Sequence, residues 1–81
     1  MERVIMVLQA GWVLYAERDP ATPTAINNAY VITRWGTTKG LAELAAFGPT
    51  PNTLLSEKFD GTVPVDSVLF TINVSPSARW P

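Results

Sequence analysis

The chain has 81 residues, with six basic and seven acidic side chains, a net charge of −1, and neither cysteine nor histidine. This length predicts a single domain spanning residues 1–81, with one core. The composition excludes disulfide bonds and thiolate or imidazole metal sites, and the near-neutral charge argues against binding to a DNA or RNA backbone.

Four strands are predicted before the helix, at residues 3–8, 12–17, 24–29 and 30–35. The first is a continuous apolar, β-branched run, which is typical of a strand that is covered on both faces. Gly11 permits a turn before the second strand. Two prolines within residues 18–23 predict a loop, and Asn27-Asn28 weakens the third strand or marks a bend.

The only predicted helix follows the fourth strand. It begins near Lys39, where Thr37 or Thr38 can cap the N-terminus, and Gly48-Pro49 ends it. Its buried stripe is expected to comprise Leu41, Leu44, Ala45 and either Phe47 or Gly48. Because the helix has only about two to three turns, it must be held by tertiary packing.

The rest of the chain predicts two further strands. They occupy residues 53–59 and 67–74, with a turn at Asp60-Gly61 between them. Residues 75–81 are polar and bounded by prolines, so we expect a flexible tail. The order of elements predicts an α+β fold: a mostly antiparallel sheet of about five to six strands, strongly curved or barrel-like, with one short helix packed against it.

The lack of histidine and cysteine removes the usual general base and the best nucleophile. We therefore predict a protein that is not an enzyme and uses no cofactor or metal ion. A chain this short without disulfides or zinc is commonly reinforced by association, so we expect a homo-oligomer. No apolar run is long enough to span a membrane. Because Glu2 and the Gln9-Ala10-Gly11 interruption also disfavour a signal peptide, we expect a cytoplasmic protein.

The candidate binding site lies where the fourth strand meets the helix. Trp35 offers a flat stacking face, and Arg34 and Lys39 offer positive charge. Thr37 and Thr38 offer hydroxyl groups beside the free N–H groups of a helix N-terminus. This combination suits an aromatic ring that carries phosphate, although the loop lacks the residue order of nucleotide hydrolases. The alternative is that Trp35 is a core residue.

Three other aromatic residues are candidates for a subunit interface. Trp12 and Tyr15 are predicted on opposite faces of one strand, so at most one of them can point into a given core. One of them can be an interface or ligand aromatic, or both can be covered, by the helix and by another subunit. Trp80, in the predicted tail, is either exposed or docked on a neighbouring subunit. The acidic residues are assigned structural roles: Glu43 interacts with the helix dipole, and Asp60 and Asp66 belong to turns or caps.

A longer pattern runs through Gly11, Asn28-Ala29, Trp35, the Leu41-Ala42-Glu43-Leu44-Ala45 segment and Gly48. It resembles a family of small proteins encoded by bacteriophages and prophages, known as a domain of unknown function. That family has an apolar first strand, a Gly-led second strand, an Asn-Ala pair, an aromatic-rich strand ending in Trp, and a Ser/Thr-Leu-x-x-Leu-Ala helix. The resemblance covers nearly the whole chain, which departs from the family at Tyr30-Val31, where the family tends to be basic.

The resemblance implies a phage protein that acts in the cytoplasm of the host bacterial cell, and two classes of function then compete. The first is inhibition of host defence by a sponge that sequesters a nucleotide-derived immune signalling molecule, or by binding to a host defence protein. The second is a structural or accessory module of the phage that binds protein only. The first class predicts a polar pocket around Trp35, and the second predicts that no such pocket exists.

Overall fold

The computed structural model describes residues 1–81 and contains six strands and one α-helix. Their bounds are β1 Glu2–Leu8, β2 Val13–Arg18, β3 Ala25–Arg34, α1 Leu41–Phe47, β4 Leu54–Leu55, β5 Phe59–Thr62 and β6 Val68–Asn73. Short 3-10 turns at Gln9–Gly11 and Val65–Ser67 precede β2 and β6. The α+β class and the strand number therefore agree with the sequence-based prediction.

All strands belong to one antiparallel sheet with the order β4-β3-β2-β1-β6, and β5 also pairs with β3. Strand β1 occupies a central position, where Met6 lies opposite Leu14 on β2 and opposite Thr71 on β6. The path ends at β4 and at β6, which do not pair with each other. The sheet is therefore open, and the expected strongly curved or barrel-like closure is not observed.

Strand β3 is one continuous strand, although two strands were expected over this part of the sequence. An irregularity at Asn28, whose φ is 48°, replaces the expected break. Asn28 donates its N–H to the Asp60 carboxylate at 2.9 Å. Asp60-Gly61 does not form the predicted turn, because it lies within β5, where Gly61 pairs with Ile26 of β3. The Asp60 carboxylate satisfies the N–H group that the irregularity removes from the ladder.

The core consists of two apolar clusters. The helix-side cluster, which includes residues of α1, contains Ile5, Val13, Tyr15, Tyr30, Ile32, Leu44, Ala45, Val74 and Ala78. The second cluster contains Val4, Met6, Leu14, Ala16, Ile26, Ala29 and Val63. Neighbouring residues of β1 and β2 alternate between the clusters because successive side chains point to opposite faces of a sheet. Burial on both faces explains the unbroken apolar run in β1.

Helix α1 begins at Leu41, two positions after Lys39, and has no side-chain cap. Gly40 precedes it with a φ of 80°. At its other end Gly48 donates its N–H to the Leu44 carbonyl at 2.8 Å. Gly48 is buried whereas Phe47 is 75% exposed, so Gly48 and not Phe47 continues the buried stripe of the helix. No helix has the length and apolar character needed to cross a bilayer.

Residues 75–81 lack regular structure but are packed on the domain, unlike the free tail that the sequence predicts. The Arg3 guanidinium donates to the carbonyls of Ser75 at 2.7 Å and Ala78 at 3.0 Å. Trp80 stacks on Tyr15 of the same chain, with ring centroids 4.2 Å apart.

This contact corrects two of the interface assignments. Tyr15 is only 2% exposed, so it is a core residue rather than an interface residue. Trp80 packs on its own chain, whereas the sequence predicts either an exposed residue or one that docks on a neighbouring subunit. Trp12, which is 58% exposed, stays a prediction as an interface residue.

Candidate functional site

The loop between β3 and α1 is fixed by the threonines of a neighbouring turn. Thr53 donates its hydroxyl to the Trp35 carbonyl at 2.6 Å, and Thr50 donates its hydroxyl to the Gly36 carbonyl at 2.7 Å. Gly36 has a φ of 66°, and a Cβ atom there would overlap the backbone of Asn52. A glycine is therefore required where the two segments approach each other.

The five predicted binding residues lie along this loop but differ in their accessibility. Trp35 is 43% exposed, so it is not sealed in the core. Arg34, Thr38 and Lys39 are also exposed, and Thr37 is half-buried. The structure thus leaves the aromatic face and both cations accessible to solvent.

The hydroxyl groups of the loop are already engaged within the chain. Thr37 accepts a hydrogen bond from the Gly40 N–H at 3.1 Å, and Thr38 donates to the Glu43 carboxylate at 3.3 Å. The following helix has only seven residues and carries that carboxylate in its first turn. The Glu43 carboxylate would therefore oppose an anion at the helix start, and the positive charge of this loop is supplied by the exposed side chains of Arg34 and Lys39.

An open groove of about 470 Å³ lies along the exposed side of α1. Ala42, Glu43, Ala46 and Phe47 line it from the helix, and residues 48–51 line it from the loop that follows. Lys39 is the only one of the five predicted binding residues that contributes to it. Most of the groove surface is supplied by methyl groups, an aromatic ring and two prolines.

Two charged residues line the groove, Lys39 and Glu43, and only Glu43 has a hydrogen-bond partner within the chain. Glu43 accepts the hydrogen bond from Thr38, whereas Lys39 is exposed and takes part in no salt bridge. The one salt bridge of the chain joins Arg18 to Glu2 at 2.6 Å. The groove therefore carries both signs of charge: the Lys39 ammonium, which has no partner within the chain, and the Glu43 carboxylate, which accepts one hydrogen bond.

The groove residues Ala42, Ala46 and Phe47 were not predicted as functional. A signal was present in the sequence: a short helix with alanine and phenylalanine outside its buried stripe has an apolar outer side, which an amphipathic helix does not need. The sequence did not reveal that residues 48–51 fold back beside that side.

The catalytic potential of the chain can be assessed from its titratable groups. No three acidic side chains are grouped in a way that could hold a metal ion. Burial raises the pKa of the Tyr15 hydroxyl above its ordinary value of 10.0, while the Arg3 guanidinium opposes the shift. Tyr15 belongs to the core and not to the groove.

Comparison with protein-family models, with characterised proteins and with solved structures finds no match to this chain. A function must therefore be argued from the geometry, and the resemblance to phage-encoded proteins stays a prediction.

Proposed function

We propose that this protein acts by binding, without catalysis, and that the groove along α1 holds an apolar side chain of a partner protein next to an acidic residue of that partner. The observation that carries this proposal is the combination of an apolar groove with an exposed cation, Lys39, that takes part in no salt bridge. Following the predicted resemblance to phage-encoded proteins, we propose that it acts in the cytoplasm of a bacterial host, with a defence protein or a phage component as the partner.

The size and composition of the groove support an apolar anchor. The groove is open, and its volume of about 470 Å³ is within the range of ligand pockets. Phe47 leaves 75% of its surface exposed in the free protein, and covering an aromatic side chain contributes about 1.5–3 kcal/mol. An acidic residue beside the anchor would meet Lys39, and opposite charges at a rim favour both orientation and the rate of association.

A displayed library of random short peptides tests the proposal. The expected peptides carry a large apolar residue next to Asp or Glu. Ala42→Arg places a long charged side chain in the groove without lowering helix propensity greatly, and it should weaken binding of the selected peptide by at least about tenfold. Lys39→Glu should weaken binding about fivefold, as expected for a charge pair at a rim.

Matched substitutions outside the groove serve as controls. Ala21→Arg lies in an exposed loop, and Lys58→Glu reverses the other lysine of the chain. Both should bind the peptide as the parent does, in fluorescence anisotropy measured on folded protein. Selection of no peptide, or equal binding by Ala42→Arg and the parent, would show that the groove is not a protein-binding site.

A second candidate function is sequestration of a nucleotide-derived signalling molecule at Arg34, Trp35, Thr37, Thr38 and Lys39. The specific observation in its favour is the exposed indole of Trp35 between two cations in the sequence, with no hydrogen-bond or salt-bridge partner for either cation side chain. A nucleobase can stack on an exposed indole, while the cations contact phosphate.

Calorimetry with a set of cyclic dinucleotides tests this second candidate. The double variant Trp35→Ala with Lys39→Ala is expected to lose binding while its fold remains intact, and Ala42→Arg is expected to bind as the parent does. Absence of heat with every nucleotide, or unchanged binding by the double variant, removes sequestration at this loop from consideration. Native mass spectrometry of the purified protein reports any retained small molecule at the same time.

A further inference from the structure

The sheet has two outer edges that differ in their protection. The edge formed by β4 and β5 is broken into two short strands, and the segment from 56 to 60 carries Glu57, Lys58 and Asp60. Interruptions and charges are common means of preventing an edge strand from pairing with another chain. The opposite edge, β6, is one continuous strand without charged residues or proline, and its Leu69 and Phe70 are 59% and 51% exposed.

The hydrogen bonds between β6 and β1 define which backbone groups of β6 stay free. Val74 donates its N–H to the Arg3 carbonyl at 3.0 Å, and Ile72 lies opposite Ile5 in the same ladder. In an antiparallel ladder, alternate residues bond to a given neighbour. Thr71 therefore directs its N–H and C=O groups away from β1, to a side of β6 where no strand of this chain pairs.

We propose that β6 pairs antiparallel with β6 of a second copy of this chain, about a two-fold axis at Thr71. In this register Thr71 lies opposite Thr71 of the partner subunit, and the pairing satisfies the outward backbone groups of both. Phe70 lies opposite Ile72 of the partner subunit, so two apolar side chains meet on the face of the sheet that packs against α1. Cross-strand pairs of these kinds are favourable.

The lack of charge in β6 and the symmetry of the contact favour a second copy over an unrelated strand. Residues 68–73 carry no charge, so no like charges meet when the strand pairs with itself. The contact uses the same edge of both copies and leaves only the protected β4–β5 edges exposed, so that association ends at a dimer. The added burial also reinforces a small core. The residues that line the groove lie between positions 39 and 51 and none belongs to β6, so the two proposals are tested at different residues and can fail separately.

Charge substitutions at the axis test the register in the full chain. Thr71→Lys and Thr71→Glu each place like charges opposite each other, so both variants should be monomers where the parent is a dimer by light scattering. An equimolar mixture of the two should recover the dimer because opposite charges then meet. Thr62→Lys, on the protected β5 edge, is the matched control and should remain dimeric, and circular dichroism establishes that each variant is folded.

A cysteine at the axis provides a measurement that does not depend on charge, since the chain has no native cysteine. Residues opposite each other in a hydrogen-bonded antiparallel pair have Cα atoms about 5.5 Å apart, which permits a disulfide. Mild oxidation should therefore convert Thr71→Cys, but not Thr62→Cys, into a covalent dimer. The proposal is overturned if the parent is a monomer, or if Thr71→Lys and Thr71→Glu leave the dimer intact. It is also overturned if the mixture of these two variants stays monomeric, or if Thr71→Cys does not crosslink.

Discussion

At the scale of single residues, Trp80 shows how the end of the chain contributes to the core. Its ring lies on that of Tyr15 with an interplanar angle of 15°, and a stacked aromatic pair contributes about 0.5–1.5 kcal/mol beyond the area it buries. Tyr30 adds a further contact, because its hydroxyl donates to the Pro81 carbonyl at 3.3 Å. The last residues therefore cover the tyrosines of the helix-side cluster.

Removal of this ring should destabilise the fold. Trp80→Ala is expected to lower the free energy of unfolding by about 2–3 kcal/mol, since the stack and the apolar contact are lost together. Trp80→Phe should cost less than about 1 kcal/mol, because it retains a ring and removes an indole N–H that is buried without a partner. Urea denaturation measures both, and Trp12→Ala, at an exposed position, serves as the control. Equal stability of Trp80→Ala and the parent would contradict the packed position of the tail.

The buried hydroxyl of Tyr15 makes stability depend on alkaline pH. Its pKa is raised in the folded protein from 10.0, so the folded state holds this proton more tightly than the unfolded state does. The associated stability is present in full below about pH 10 and is lost as the pH rises through the folded-state pKa. Urea midpoints measured from about pH 9 to about pH 11 should fall, and Tyr15→Phe should reduce that fall. An identical fall in the variant would assign the pH dependence to other groups.

At the scale of elements, the β3–α1 connection depends on close approach to the turn at residues 50–53. Gly36 and Gly40 both have positive φ values, 66° and 80°, but only Gly36 faces backbone atoms. Nothing lies within 4 Å of a Cβ atom built at Gly40. A side chain at Gly40 would therefore introduce conformational strain alone, whereas a side chain at Gly36 would introduce conformational strain and steric overlap.

Alanine substitutions at these glycines should differ in their effect. Gly40→Ala is expected to cost about 1–3 kcal/mol, because the φ of 80° and ψ of −160° at Gly40 lie in a region that is essentially confined to glycine. Gly36→Ala should cost at least about 1 kcal/mol more, because the Asn52 backbone must also move. Thermal denaturation compares the two variants, and equal losses would mean that the close approach carries no energetic weight.

Local patterns allow some elements to be predicted from the sequence better than others. Strands β1, β2 and β6 were placed within about one or two residues, since continuous or alternating apolar residues define them. Strand β3 is predicted as two strands because Asn27-Asn28 has the composition of a turn. Its pairing with β2 and β5 and the hydrogen bond from Asn28 to Asp60 join distant segments, which no local pattern shows. Asp60-Gly61 was misassigned for the same reason.

At the scale of the whole molecule, contacts between distant segments determine what the sequence could not show. The stacking of Trp80 on Tyr15 joins residues that are 65 positions apart in the printed sequence, so no local pattern indicates it. The groove likewise requires residues 48–51 to lie beside α1. The exposed position of Trp35 could be anticipated only as one of two alternatives, because a strand-end tryptophan can face either core or solvent.

The central claim is that this protein binds a partner through the groove along α1. The most direct measurement is a nuclear magnetic resonance titration of the labelled protein with the selected acidic, apolar peptide, and separately with cyclic dinucleotides. We expect the peptide to shift the backbone resonances of Lys39, Ala42, Ala46 and Phe47, with little change at the Trp35 indole. Shifts confined to the Trp35 indole and Arg34 on addition of nucleotide, with none in the groove on addition of peptide, would contradict the claim.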